Sequence, residues 1–164
     1  MPNPSKPNRR SVRIPGFNYA QDGAYYITIC THERRCIFGS VVDFTMRLSD
    51  LGHLIEDCWH ELLCQAPSVR ADEWVIMPNH LHALLFIDSD GTNRKPLGSI
   101  LAAFKSSSTS RARQLGFRNQ DQKLWQRNYY EQVLFTERRL MEVRQYIRDN
   151  PVKWALDRDN PVNW

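Results

Sequence analysis

Two histidines separated by one leucine, His80-Leu81-His82, are the sharpest chemical signal in this 164-residue chain. Side chains alternate across a β-strand, so on a strand both imidazoles project from one face, about 7 Å apart along it, while Leu81 points to the other. Two imidazoles so placed can converge on a divalent cation. The apolar run Ala83-Leu84-Leu85-Phe86-Ile87 follows directly and sets the pair at the head of a strand. Burying histidines there without partners is costly. Hydrogen bonding to solvent or backbone at a strand end is the alternative use of such a pair. The cysteines offer less. Cys30, Cys36, Cys58 and Cys64 form no Cys-x-x-Cys pair, their spacing is a poor zinc signature, and they read as buried free thiols rather than a disulfide framework.

The charge is divided unevenly along the chain. Residues 1–19 carry four Lys/Arg and no acid, residues 20–92 four bases against eleven acids, and residues 94–158 fourteen bases against six acids. A chain split this way is expected to present an electropositive surface, the footprint of a polyanion. Lys105, Arg111, Arg113, Arg127, Arg148 and Lys153 are the candidate phosphate contacts, with Arg9, Arg10 and Arg13 on a basic arm. No apolar run approaches the roughly 20 residues of a membrane span, and the N-terminal stretch lacks the apolar segment of a secretory signal. A cytoplasmic protein with one domain is the expectation.

The elements that must position these residues follow from periodicity. Residues 1–22, rich in Pro, Asn and Arg, read as an extended arm. Residues 23–31 are aromatic and β-branched, a first strand. A turn-like stretch comes next, then a helix opening at Ser49 or Asp50 and running to about Cys64. Leu51, Leu54, Ile55, Cys58 and Leu62 form its buried stripe. Residues 73–77 and 80–87 predict a hairpin of strands about Pro78-Asn79. A polar loop leads to a basic helix marked by Ile100, Leu101, Phe104 and Leu115. Residues 129–135 can form a fourth strand, and Thr136 caps a last helix, expected to stop at Asn150-Pro151. The order β-α-β-β-α-β plus a helix predicts an α+β, ferredoxin-like antiparallel sheet with two helices on one face. The domain is expected to span residues 23–158, with 159–164 a short tail.

Trp74-Val75-Ile76-Met77-Pro78-Asn79-His80-Leu81-His82 resembles the His-hydrophobic-His (HUH) motif of single-tyrosine transposases of bacterial insertion sequences and their REP-associated relatives. Further resemblance lies in Arg10-Ser11-Val12-Arg13-Ile14, Phe104-Lys105-Ser106, Leu124-Trp125-Gln126-Arg127-Asn128-Tyr129-Tyr130 and Tyr146-Ile147-Arg148-Asp149-Asn150-Pro151-Val152-Lys153. The resemblance implies a bacterial, nucleoid-associated enzyme that cuts single-stranded DNA beside a hairpin and joins strands through a 5′-phosphotyrosine. His80, His82 and Asn150 would then be ligands of Mg²⁺ or Mn²⁺, and Tyr146 the nucleophile. Positions 146 and 150 share a helix face, in keeping with this assignment. Lys105 and Arg127, inside the matching motifs, lead the DNA-contact candidates, followed by Arg111 and Arg13. Some members of such families are dimers, so a homodimer is compatible with the resemblance.

Other readings use the same residues. Tyr129 and Tyr130 face opposite ways on a strand, so one of them is a rival nucleophile or a stacking platform for bases. A non-catalytic single-strand-binding module accounts for the basic half but leaves His80, His82, Tyr146 and Asn150 unexplained together. A zinc hydrolase would need a convincing third strong ligand, which the sequence does not offer, and a base near the pair, where Glu73 instead opens the preceding strand. Trp59, Trp74 and Trp125 read as core.

Overall fold

A computed structural model describes residues 23–87 and 95–163 of the chain. Six strands and three helices follow in the order β1 (Gly23–Cys30), β2 (Gly39–Val42), β3 (Thr45–Leu48), α1 (Asp50–Gln65), β4 (Val69–Met77), β5 (His80–Ile87), α2 (Leu97–Gln114), β6 (Tyr130–Leu134) and α3 (Glu137–Lys153). The main sheet has the order β4-β5-β1-β6 with every neighbouring pair antiparallel. This is the α+β, ferredoxin-like arrangement that the element order predicts. The arm, including Arg9, Arg10 and Arg13, and most of the polar loop after β5 lie outside the described residues.

Strand alternation sorts the side chains into two cores. Tyr25, Ile27 and Ile29 of β1 and Leu81, Ala83 and Leu85 of β5 face α1 and α2, and pack with Ile55, Trp59, Leu101 and Phe104. Trp59 and Trp125 are buried there and Trp74 packs against them, as expected of core tryptophans. The opposite face presents Ala24, Tyr26, Leu84 and Leu134, covered by Val143 and Ile147 of α3. His80 and His82, on the same parity as Leu84, therefore lie under α3. Helix starts obey local chemistry: the side chains of Ser49 and Thr136 accept hydrogen bonds from the backbone N–H of Gly52 and Arg139.

Three local expectations are corrected. The stretch after β1 contains the β2–β3 hairpin, whose two-residue turn, Asp43-Phe44, takes positive φ values of 49° and 61°. Such turns favour Asn-Gly, so the sequence carries no hairpin signal there. The last helix does not stop at Asn150-Pro151 but continues through Pro151 to Lys153, followed by a 3₁₀ turn at Trp154–Leu156. Proline removes one backbone donor near a helix end, where few bonds remain to be lost. Of the four thiols, all unpaired, Cys58 is buried, Cys30 is half-buried, and Cys36 and Cys64 are exposed rather than buried.

Candidate functional site

β5 carries both histidines to the sheet centre, where His80 and His82 are almost wholly buried. Their ring centroids lie 4.3 Å apart. Each Nδ1 is held from behind. His80 Nδ1 meets the Asn79 side-chain oxygen at 2.8 Å, so this nitrogen donates. Asn79 is held in turn, since its amide donates to the carbonyls of Arg34 and Asp159 at 3.0 and 2.7 Å. His82 Nδ1 lies 2.9 Å from the Tyr26 hydroxyl and 2.8 Å from that of Thr28. The two Nε2 atoms remain buried without a hydrogen-bond partner among the described residues, and so does Oδ1 of Asn150. Burial pushes the pKa of His80 down to about 4, against the raising influence of the Asp157 carboxylate and the Asn150 amide. Burial and the neighbouring His80 also drive that of His82 well below the usual value. Both rings are thus held neutral, with lone pairs available.

Asn150 reaches this place because α3 stays helical through Pro151. Its Nδ2 donates to Asp157 at 3.1 Å. The other Asp157 oxygen accepts from the backbone N–H of Asp159 at 2.7 Å. The chain thereby turns back beneath the site, and the ligand atoms of His80, His82 and Asp159 come within 4.8 Å of one another. Arg34 pairs with the Asp159 carboxylate. It is delivered by a backbone in which Glu33 and Arg34 take φ of 55° and 52°, a left-handed pair that costs on the order of 1–3 kcal/mol per residue. Three buried, unpartnered polar atoms and an adjacent carboxylate fit a divalent cation. Asp157→Ala removes the carboxylate that bridges α3 to this turn, and is expected to lower stability by about 2 kcal/mol in urea unfolding.

Tyr146 stands on α3 one turn before Asn150, with 37% of its surface exposed. Its ring centroid lies 5.4 Å from that of His82 and 6.2 Å from that of Tyr26. Burial, then the Asp157 carboxylate, raise its pKa, and Arg158 opposes them. Tyr130 shares the histidine face but sits across β1 from His82, since Thr28 pairs with both residues. Tyr129 packs on the other face, near Lys105. Glu73 is engaged by Arg148 of α3 at 2.9 Å and is not at the site.

The basic candidates separate. Arg111 is tied to Glu61 at 2.7 Å, Arg148 to Glu73, and Lys153 to Asp149 at 2.9 Å. Lys105 turns its ammonium to the carbonyls of Gln126 and Asn128 at 2.9 and 3.0 Å, and more distantly to that of Arg127. Arg127 is exposed, and Arg13 is outside the described residues. Sequence reasoning missed Asp157, Arg158 and Asp159, and with them the burial of the segment after α3. Their only signal was three charged residues in a row following the last helix.

A ferredoxin-like sheet with a paired-histidine centre and a tyrosine on the covering helix defines a class, and comparison with known proteins agrees. The model of the family "Transposase IS200 like" matches residues 20–150. The chain belongs to this family of transposases. An uncharacterised protein of Haemophilus influenzae is 36% identical over 169 residues, covering 92% of each chain. Among solved structures, a REP-associated tyrosine transposase bound to a REP hairpin aligns with a TM-score of 0.65 at 15% identity, over 88% of this chain and 76% of that one. A Deinococcus radiodurans R1 protein, provisionally described as a transposase, aligns with a TM-score of 0.53 at 17% identity, over 84% and 95%. Among the described residues no helix is long and apolar enough to cross a membrane.

Proposed function

We propose that this protein cleaves and rejoins single-stranded DNA beside a hairpin, with Tyr146 as the nucleophile. The observation that carries the reading is the set of orphaned buried atoms, Nε2 of His80, Nε2 of His82 and Oδ1 of Asn150, assembled beside a tyrosine on the covering helix. Family membership and the fold shared with a transposase bound to a REP hairpin support it. His80, His82 and Asn150, joined by Asp159, would hold Mg²⁺ or Mn²⁺. Such an ion, when bound, withdraws charge from a scissile phosphate and fixes its geometry.

The chain's own residues do the rest. Asn79, Tyr26 and Thr28 hold the imidazoles in one orientation. Tyr146 Oη attacks the phosphorus; the Tyr–O–P bond forms as the P–O3′ bond breaks. The phenolic proton is lost from Tyr146, and the departing O3′ takes one up to leave as a 3′-OH. The 5′ end stays on Tyr146 as a phosphodiester, so the reverse attack by a 3′-OH rejoins strands without an external energy source. Arg158 faces the same cleft as Tyr146 and is suited to the phosphate charge. Tyr146 stands beside His82 of its own chain, so a single copy can bring the nucleophile and the histidines together.

The test is covalent capture. Protein incubated with Mn²⁺ and a hairpin-bearing DNA pool that includes the sequences flanking its own gene is digested and examined by mass spectrometry. A nucleotide on the peptide containing Tyr146 is expected. Tight binding to that DNA with no adduct on any tyrosine would favour a non-catalytic binding module instead.

A further inference from the structure

The cations of this chain divide by whether a carboxylate meets them. On α3, Arg138 and Arg139 face Glu142, Arg144 faces Asp72, Arg148 faces Glu73 and Lys153 faces Asp149. A different set lines an open groove between the second half of α2 and residues 118–127. Lys105, Thr109 and Arg113 come from one face of the helix at four-residue spacing, and Gln120, Lys123 and Arg127 come from the loop. Among the described residues no carboxylate lines this groove; the loop's one acid, Asp121, is not part of it. Arg113, Lys123 and Arg127 have no acidic partner among the described residues. Arg113 donates to the carbonyl of Gln120 at 3.0 Å, and its Nε is buried without an acceptor.

Lys105 plays another part here. Its ammonium, set on the carbonyls of residues 126–128, fixes the groove's far wall, and Trp125 Nε1 donates to Ser108 Oγ at 2.9 Å to pin the same segment to α2. That wall leads toward the catalytic residues. Gln126 lines both this groove and an adjoining cleft containing Tyr130, Arg158 and Asp159. Tyr130 and Arg158 then line the cleft that contains Tyr146. The depressions adjoin one another beside β6, an edge strand of the sheet.

We propose that the groove between α2 and residues 118–127 binds the phosphodiester backbone of the DNA outside the reacting nucleotides, holding it where the strand passes along β6 to Tyr146. This deepens the reading given above and rests on it. Guanidinium, ammonium, hydroxyl and amide donors without acids suit phosphates, whose contacts position DNA without reading its sequence. Unmatched cations crowded together repel one another until an anion neutralises them.

The test measures fluorescence anisotropy against salt with two labelled probes, a short DNA hairpin without flanks and an unstructured oligo-dT strand. The triple variant Arg113→Gln, Lys123→Gln, Arg127→Gln is compared with a charge-matched control, Arg47→Gln, Lys95→Gln, Arg138→Gln. The groove triple is expected to bind at least one probe about tenfold more weakly, with a plot of log K against log salt shallower by about two. The control should keep the wild-type slope. Loss confined to the hairpin assigns the groove to the stem, and loss confined to oligo-dT assigns it to single strand; either supports the proposal. Ser110→Glu, at an exposed position of the groove's helical wall, should weaken binding in the same direction without touching the core. If all groove variants bind both probes as the control does while wild type still forms the Tyr146 adduct, the groove is overturned and the catalytic reading stands. Wild type binding neither probe and forming no adduct would overturn both.

Discussion

Tyr146→Phe is expected to abolish the covalent adduct and to slow cleavage of hairpin-bearing single strands by at least about a thousandfold, while DNA affinity stays within a small factor of wild type. Phenylalanine keeps the ring that packs between Tyr26 and His82, so the fold loses only an oxygen. Among the described residues no other tyrosine is placed to substitute. Tyr26 is buried, its hydroxyl engages His82 Nδ1, and desolvation drives its pKa far above the usual value. Tyr130 is separated from His82 by the width of β1, and Tyr129 lies on the opposite face. Tyr146 itself has its pKa raised, chiefly by burial, so little phenolate exists at neutral pH and the site must assist its deprotonation. Single-turnover cleavage with wild type and variant checks the rate, and denaturing gels check the adduct. An adduct that survives in Tyr146→Phe would move the nucleophile to Tyr130.

The second large effect concerns the histidines. Mn²⁺ at a hundred times its Kd should stabilise the wild-type fold by about 2.7 kcal/mol, and His82→Ala should remove that gain. For a chain of this length the gain corresponds to roughly 5–10 °C in Tm. The sign follows from where the lone pairs point. With both Nδ1 atoms engaged, the two Nε2 atoms and Asn150 Oδ1 are buried polar groups that an ion satisfies in the folded state only. Asn150→Ala, which leaves both imidazoles, should retain part of the shift. Thermal melts with and without Mn²⁺, then with excess chelator, read all three proteins. An equal shift in wild type and His82→Ala would remove the metal from the site. The measurement needs no DNA, so it separates ion binding from catalysis.

Much of this site was legible locally. The His-x-His spacing on an apolar strand puts both rings on one face because a strand repeats every two residues, and the structure keeps that face under α3. The four-residue step from Tyr146 to Asn150 places them on one side of a helix. Thr136 and Ser49 mark helix starts because their hydroxyls accept backbone donors that a first turn leaves unsatisfied. Each of these is a short-range consequence of backbone geometry.

The remainder depended on contacts distant in sequence. Asp157, Arg158 and Asp159 form a polar stretch without periodicity, and only the 3₁₀ turn after α3 brings them back onto Asn79 and the histidines. Arg148 is among the candidate phosphate contacts in the sequence, yet it meets Glu73 across more than seventy residues of chain. The charge runs alone could not reveal which cations stay unmatched, because neutralisation is settled by which helix packs on which strand. The types and local directions of the chemical groups were determined by the sequence by itself. Their convergence, and the separation of paired from unpaired charge, were decided by tertiary structure, because both depend on distances that no local repeat encodes.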